Sequence, residues 1–132
     1  MAFIKFKPLT SRYNFYNTIT SNEFDSKISK YLIPEEEILI AFKSTRDVGI
    51  FTNKRILLID VKGVKGVRKK IFSIKYNSIS SYELDIHTFD SAINITTDSG
   101  YIMSLNFLKP IPLDDMFKVY HLINQYLLTN TK

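Results

Sequence analysis

Between Glu37 and Phe107 the chain alternates short apolar runs with polar punctuation, and the spacing is that of strands. The runs EILIAFK (37–43), DVGIFT (47–52) and RILLIDV (55–61) come first. RKKIFSIKY (68–76), ISSYELDI (79–86), AINITTD (92–98) and YIMSLNF (101–107) follow. All are rich in Ile, Leu, Val, Phe or Tyr, which suit a pleated, half-buried surface. Seven strands are expected. Asn53-Lys54 predicts a two-residue hairpin loop, asparagine being tolerant of positive φ. Asp98-Ser99-Gly100 predicts a three-residue loop with Gly100 at the left-handed bulge position. Gly63 and Gly66 separate the third strand from the fourth.

On both sides of this region the period changes. Thr20 and Glu23 have the spacing of a capping box, and Ile19 and Phe24 that of a hydrophobic staple. Phe24, Ile28, Tyr31 and Leu32 then fall on one helical face, and Pro34 closes the segment. After Pro110 and Pro112, Asp114 and Asp115 occupy a first helical turn, where negative charge suits the helix dipole. Leu113, Met116, Phe117, Tyr120, Ile123, Leu127 and Leu128 make a wide apolar stripe that must cover a sheet. The first nineteen residues show no clear period but hold Phe3, Phe6, Tyr13, Phe15 and Tyr16, too many rings for a disordered tail. Such an arm packs either on its own domain, the preferred reading, or on a neighbouring subunit. The expected architecture is therefore mainly β, of the α+β kind. It is a seven-stranded antiparallel barrel or sandwich capped by a C-terminal amphipathic helix, with an extra N-terminal helix and an aromatic arm. Residues 1–33 form the arm and helix, and residues 34–132 the single globular unit.

Composition sets limits on this picture. At 132 residues the chain is one domain, able to bury a core without disulfides or metal. It has no cysteine, which excludes disulfides and thiolate metal sites. MAFIKFKPL is too short and too lysine-rich for a signal peptide, and no window is apolar enough to span a bilayer. A cytoplasmic protein is expected. The net charge is +5, and its distribution is uneven: residues 61–76 carry six basic side chains and no acidic one. Five of them, Lys62, Lys65, Arg68, Lys69 and Lys70, surround the glycine-containing hairpin and are the candidate anion- or partner-binding residues.

Catalytic constellations are sparse. Asp85, His87 and Asp90 could form a weak acid–base or metal cluster, but a polar strand end is preferred. His121 reads as a helix-flank residue, and Glu35, Glu36 and Glu37 as a solvated acidic turn. Arg46 and Asp47 read as a structural pair on opposite faces of a strand. There is no nucleophile elbow, P-loop or paired-histidine zinc motif. No enzyme activity, cofactor or metal is expected. Phe72 and Tyr76 alternate with Ile74 as core residues rather than as base-stacking platforms, which argues against nucleic acid.

The run from Glu35 to Ile79, EEEILIAFKSTRDVGIFTNKRILLIDVKGVKGVRKKIFSIKYNSI, resembles the bacterial pleckstrin-homology (PH)-like family. The shared features are the Arg-Asp pair, FTNKR, a D-x-x-G hairpin and S-I-x-Y-x-S-I, with TFD at 88–90 and the closing helix continuing the match. Lys75 stands where the family usually has proline, and LDIH lacks the glycine usual before TFD. The resemblance implies a PH-like barrel, a non-enzymatic role and ring-like homo-oligomers. It also brings to mind phosphoinositide binding by eukaryotic PH domains. Their lipid loop, however, joins the first two strands, whereas the basic hairpin here joins the third and fourth. The leading expectation is an interaction module that self-associates and binds a protein partner. The arm residues Phe3, Phe6, Tyr13, Phe15 and Tyr16 are the candidate contacts. The lysine-rich composition suggests an A/T-rich bacterium or its phage, where such a domain could modulate a host protein. The second reading is a peripheral binder of anionic membrane through hairpin 62–70. Against both stands the plainer view that lysine and glycine keep a long hairpin soluble.

Overall fold

The computed structural model describes residues 10–20, 26–62 and 68–128. Each of the seven expected strands forms, within one or two residues of its expected ends. They are β3 (Ile38–Lys43), β4 (Asp47–Thr52), β5 (Arg55–Lys62), β6 (Arg68–Lys75), β7 (Ile79–Asp85), β8 (Asp90–Thr97) and β9 (Ile102–Leu108). The arm supplies two more, β1 (Thr10–Phe15) and β2 (Asn17–Ile19). The strands build two sheets, ordered β1-β9-β8-β7 and β2-β3-β4-β5-β6. All pairings are antiparallel except β1 with β9, which runs parallel from Thr10↔Ile102 to Phe15↔Phe107.

The described part of the arm, from Thr10 to Ile19, therefore completes the core of its own chain. It crosses from one sheet to the other at Tyr16, whose N–H donates to the Lys43 carbonyl at 2.9 Å. Phe15 is fully buried, its ring packed between Phe42 and Phe107 at centroid distances of 5.8 and 5.6 Å. The Asn14 amide donates to Asp47 Oδ2 at 2.8 Å, and Thr18 Oγ1 donates to Asp115 Oδ2 at 2.8 Å. The Arg46–Asp47 pair is structural, as expected. Asp47 anchors β1, and the Arg46 guanidinium donates to the Val61 carbonyl across the hairpin.

Two cores share the five-stranded sheet. The inner one holds Phe15, Phe42, Phe51, Leu58, Ile93, Ile95, Met103 and Leu105 between the sheets. The outer one sets Ala41, Ile50 and Leu57 against Ile28, Tyr31 and Leu32. Those last three residues come from the expected N-terminal helix, but within the described residues it is only α1 (Ser26–Ser29) and a following turn. Its capping-box partner Glu23 and staple residue Phe24 lie outside the described residues.

The closing helix α2 (Leu113–Leu128) buries Met116, Val119 and Ile123. It lies against β8 and the 3-10 turn Tyr76–Ser78 that leads from β6 to β7. Tyr126 stacks on Tyr76 at 5.1 Å, and the Tyr82 hydroxyl donates to Asn124 Oδ1. Two members of the expected stripe, Leu113 and Leu128, are exposed because they sit at the helix ends, beyond the sheets. Val119 takes the central place instead.

Both expected hairpin loops form, by different backbone routes. Gly100 does adopt a positive φ of 88°, and its N–H donates to the Thr97 carbonyl at 2.9 Å. Nothing lies within 4 Å of where a Cβ would project. Gly100→Ala is therefore expected to cost about 1–2 kcal/mol from backbone conformation alone, read as a lower Tm with unchanged far-UV circular dichroism. Asn53, in contrast, is not at positive φ. Thr52 Oγ1 accepts from the amides of Lys54 and Arg55, both at 3.0 Å, and this side-chain-held turn makes left-handed backbone unnecessary. Asn53 Oδ1 instead accepts from the Glu37 amide at 2.8 Å.

Candidate functional site

The FTNKR stretch turns inward, onto Glu36, a carboxylate expected from the sequence to lie in a solvated turn. Glu36 is buried, not solvated. Arg55 Nε and Nη2 each donate to one of its oxygens at 2.9 Å, a bidentate pair. Thr52 Oγ1 donates to Oε2 at 2.7 Å and the Ile33 amide to Oε1 at 3.2 Å. Arg55 also reaches the Tyr31 carbonyl at 2.7 Å and Ser73 Oγ at 3.1 Å. The guanidinium and these donors hold the Glu36 carboxyl at about 2, against the opposing effect of burial. The cluster ties the turn after α1 to β4, β5 and β6, with the Glu36 side chain fully buried. It is structural.

The histidine cluster is also accounted for locally. His87 Nε2 lies 3.1 Å from Asp85 Oδ1, with both side chains about half exposed. Ser91 Oγ accepts from the His87 amide at 3.1 Å, closing the β7–β8 loop. Among the described residues no group of three carboxylates or histidines is placed to hold a metal ion. His121 is exposed on α2, as expected of a helix flank.

Of the candidate basic residues, Arg68, Lys69 and Lys70 are exposed in succession at the start of β6. The backbone of Lys62 ends β5 opposite Arg68, while Lys65 lies outside the described residues. Of the arm residues, Phe3 and Phe6 lie outside them too. Tyr13 and Phe15 are spent on this chain's own core and present nothing to a neighbour. Of the three described arm candidates, only Tyr16 is exposed.

Strand β6 stands out for a reason the sequence did not carry. It pairs with β5 along its whole length, and no described strand pairs with its other edge. Of its eight residues only Ile74 is buried. Ile71 and Phe72 are 40% and 37% exposed, which corrects the expectation that Phe72 is core: its ring rests on Tyr101 at 5.3 Å with one face in water. Beside this edge a groove of about 230 Å³ runs between Phe72, Ser73 and Ile74 and the β8–β9 turn at Thr97, Asp98 and Ser99.

Two other surfaces are less promising. The solvent face of the four-stranded sheet carries an open groove of about 520 Å³, lined by Arg12, Ser81, Glu83, Asn94, Thr96 and Ser104. Two of its polar side chains are paired, Asn94 Nδ2 donating to Glu83 Oε1 at 2.8 Å. Phe89 is 71% exposed with Lys109 Nζ 5.1 Å from its ring centre, above a cleft of only about 100 Å³. That volume is below the range of small-molecule sites.

Two sheets of this order, closed at one end by α2 and lacking a catalytic constellation among the described residues, define a PH-like module. The chain belongs to the bacterial PH domain family, whose model matches residues 10–127 and so takes in the arm strands as well as the barrel. It is 29% identical over 108 residues to the uncharacterised protein YjqA of Bacillus subtilis (strain 168), covering 78% of this chain and 86% of that one. Among solved structures it resembles a DUF1696 family protein with a pleckstrin-homology domain from Shewanella loihica PV-4. There the TM-score is 0.70 at 22% identity, over 83% of this chain and 95% of that one. A pleckstrin-homology domain from Shewanella amazonensis SB2B matches with a TM-score of 0.60 at 25% identity, over 76% and 82%. A PH-domain-containing protein from Exiguobacterium sibiricum 255-15 matches at 0.68 and 18% identity, over 86% of this chain and 62% of that one. PH domains are generally non-catalytic modules. No helix among the described residues is long and apolar enough to cross a membrane.

Proposed function

We propose that the chain is a non-enzymatic interaction module that self-associates and binds a protein partner. The observation that supports partner binding is the open edge of β6, where Ile71 and Phe72 stand exposed beside three successive cations. Exposed strand edges are normally shortened, bulged or covered, because they recruit other strands. One kept at eight residues with apolar side chains in water suits a surface used for binding. Gel filtration with light scattering over a wide concentration range tests self-association, and a strict monomer at the highest concentration rejects it. Cross-linking in the native host tests the partner. The same partner should be lost on Ile71→Ser, a change on the exposed side of the strand; its retention would move the contact elsewhere.

A second reading, binding to anionic membrane, is favoured by the same three cations lying next to exposed apolar groups. Each basic side chain near such a surface contributes about 1 kcal/mol. Co-sedimentation with phosphatidylserine vesicles should then be salt-sensitive and fall about tenfold or more when Lys69 and Lys70 are both changed to Glu. Indifference to that change rejects the membrane reading.

A further inference from the structure

We propose that β6 is the docking strand for an extended acidic segment of a partner protein, which adds to the edge of the five-stranded sheet. This rests on the interaction-module reading above and names the partner's chemistry. An added strand gains main-chain hydrogen bonds along the edge, and its side chains fall alternately on the two faces of the sheet. On β6, Arg68, Lys70, Phe72 and Ile74 share one face, and Lys69, Ile71 and Ser73 the other. The occupant must therefore offer acidic residues on both faces where it passes Arg68, Lys69 and Lys70. It must offer apolar residues where it passes Ile71 and Phe72. The groove beside Phe72 and Ile74 is sized for one such side chain.

Charge favours this occupant over a second β6. In the backbone register Arg68 pairs with position 62 and Lys69 with Val61, so neither lies across from an acidic residue. Lys70 lies across from Asp60, so Arg68 and Lys69 carry most of the unmatched charge. Two β6 strands paired parallel and in register would set Arg68, Lys69 and Lys70 against themselves. Paired antiparallel about their centres they would set Arg68 against Lys75. Both arrangements oppose cations, and a segment rich in Glu and Asp does not.

The test uses the full chain, isotopically labelled, and two synthetic peptides. One carries Val-Ile-Val followed by Glu-Asp-Glu, the other the same blocks in reverse, so that both strand directions are offered. One peptide is expected to bind, to slow amide exchange in Ile71–Ile74, and to weaken about tenfold on Lys69→Glu. Equal binding of a peptide with Lys in place of its acids overturns the proposal. So does binding that leaves β6 amides unprotected. Concentration-dependent protection of β6 without peptide would show that a second copy holds the edge, and would overturn it as well. Binding to phosphatidylserine vesicles but to neither peptide would assign the cations to a membrane. If both peptides fail while light scattering still reports assemblies, the docking strand is refuted and the broader module reading stands.

Discussion

Glu36→Ala should destabilise the fold by about 3 kcal/mol, far more than any other change to an exposed-looking acidic residue. An ion pair at a protein surface is worth about 0–1 kcal/mol, whereas removing one partner of a buried pair costs about 3–5. The Glu36 side chain is fully buried and that of Arg55 is 24% exposed, so the lower end of the second range applies. Loss of the carboxylate also leaves the Thr52 hydroxyl and the Ile33 amide without their acceptor. Urea titration checks the magnitude. A loss under about 0.5 kcal/mol would place the pair among ordinary surface contacts. Changing both partners together to apolar residues of similar volume should recover much of the loss, since neither charge is then left buried alone.

The same pair gives the stability a defined acid limb. The Glu36 carboxyl is lowered from 4.5 to about 2 in the folded state, chiefly by hydrogen bonds from Arg55. Above 4.5 the group is ionised in both states and its stabilisation is fully present. As pH falls from there toward 2, the unfolded chain takes up the proton first, and stability is lost across that window. The shift corresponds to a few kcal/mol. Glu36→Gln keeps the shape without the charge, so its stability curve should be flatter between pH 4.5 and 2. An unchanged acid limb would assign the acid sensitivity to other carboxylates.

Why Glu36 escaped the sequence reading is physically plain. Three consecutive glutamates look alike, and only the approach of Arg55 across a hairpin decides which one is buried. Strands such as β3, β4, β5 and β8 were legible because they bury alternate residues or lie between two cores, so apolar runs and turn residues mark their limits locally. Asp98-Ser99-Gly100 was legible for the same reason: a positive φ demands glycine. The arm was harder. Tyr13 and Phe15 do alternate with Arg12 and Asn14, a signal that could have been found, but the strand lasts only six residues before it changes sheets. Its partner β9 lies some ninety positions away and runs parallel, and nothing in the local sequence announces such a pairing. The basic cluster was visible as composition. That β6 is an edge is a property of the whole sheet order, and no residue in Arg68–Lys75 encodes it alone.

The arm's place in the core leads to the last large effect. Phe15→Ala should cost about 3–5 kcal/mol, the usual cost of truncating a fully buried phenylalanine. The value depends on how far the site can collapse, and here Gly49 limits it. A Cβ at position 49 would lie 2.6 Å from the Phe15 ring, closer than side chains tolerate. The ring cannot swing away, because Phe42 and Phe107 hold it on its other sides. Gly49→Ala alone should therefore destabilise by about 1–3 kcal/mol through overpacking. With Phe15 already cut to Ala, the same methyl enters the vacated space and should cost little or restore part of the loss. The two changes are thus expected to couple by more than about 1 kcal/mol, which additivity of distant sites would not give. Additive losses in the double mutant would show that the ring does not fill the space over Gly49. Strong coupling would tie the arm to the core of its own chain, leaving Tyr16 as the one ring of the described arm free to face a partner.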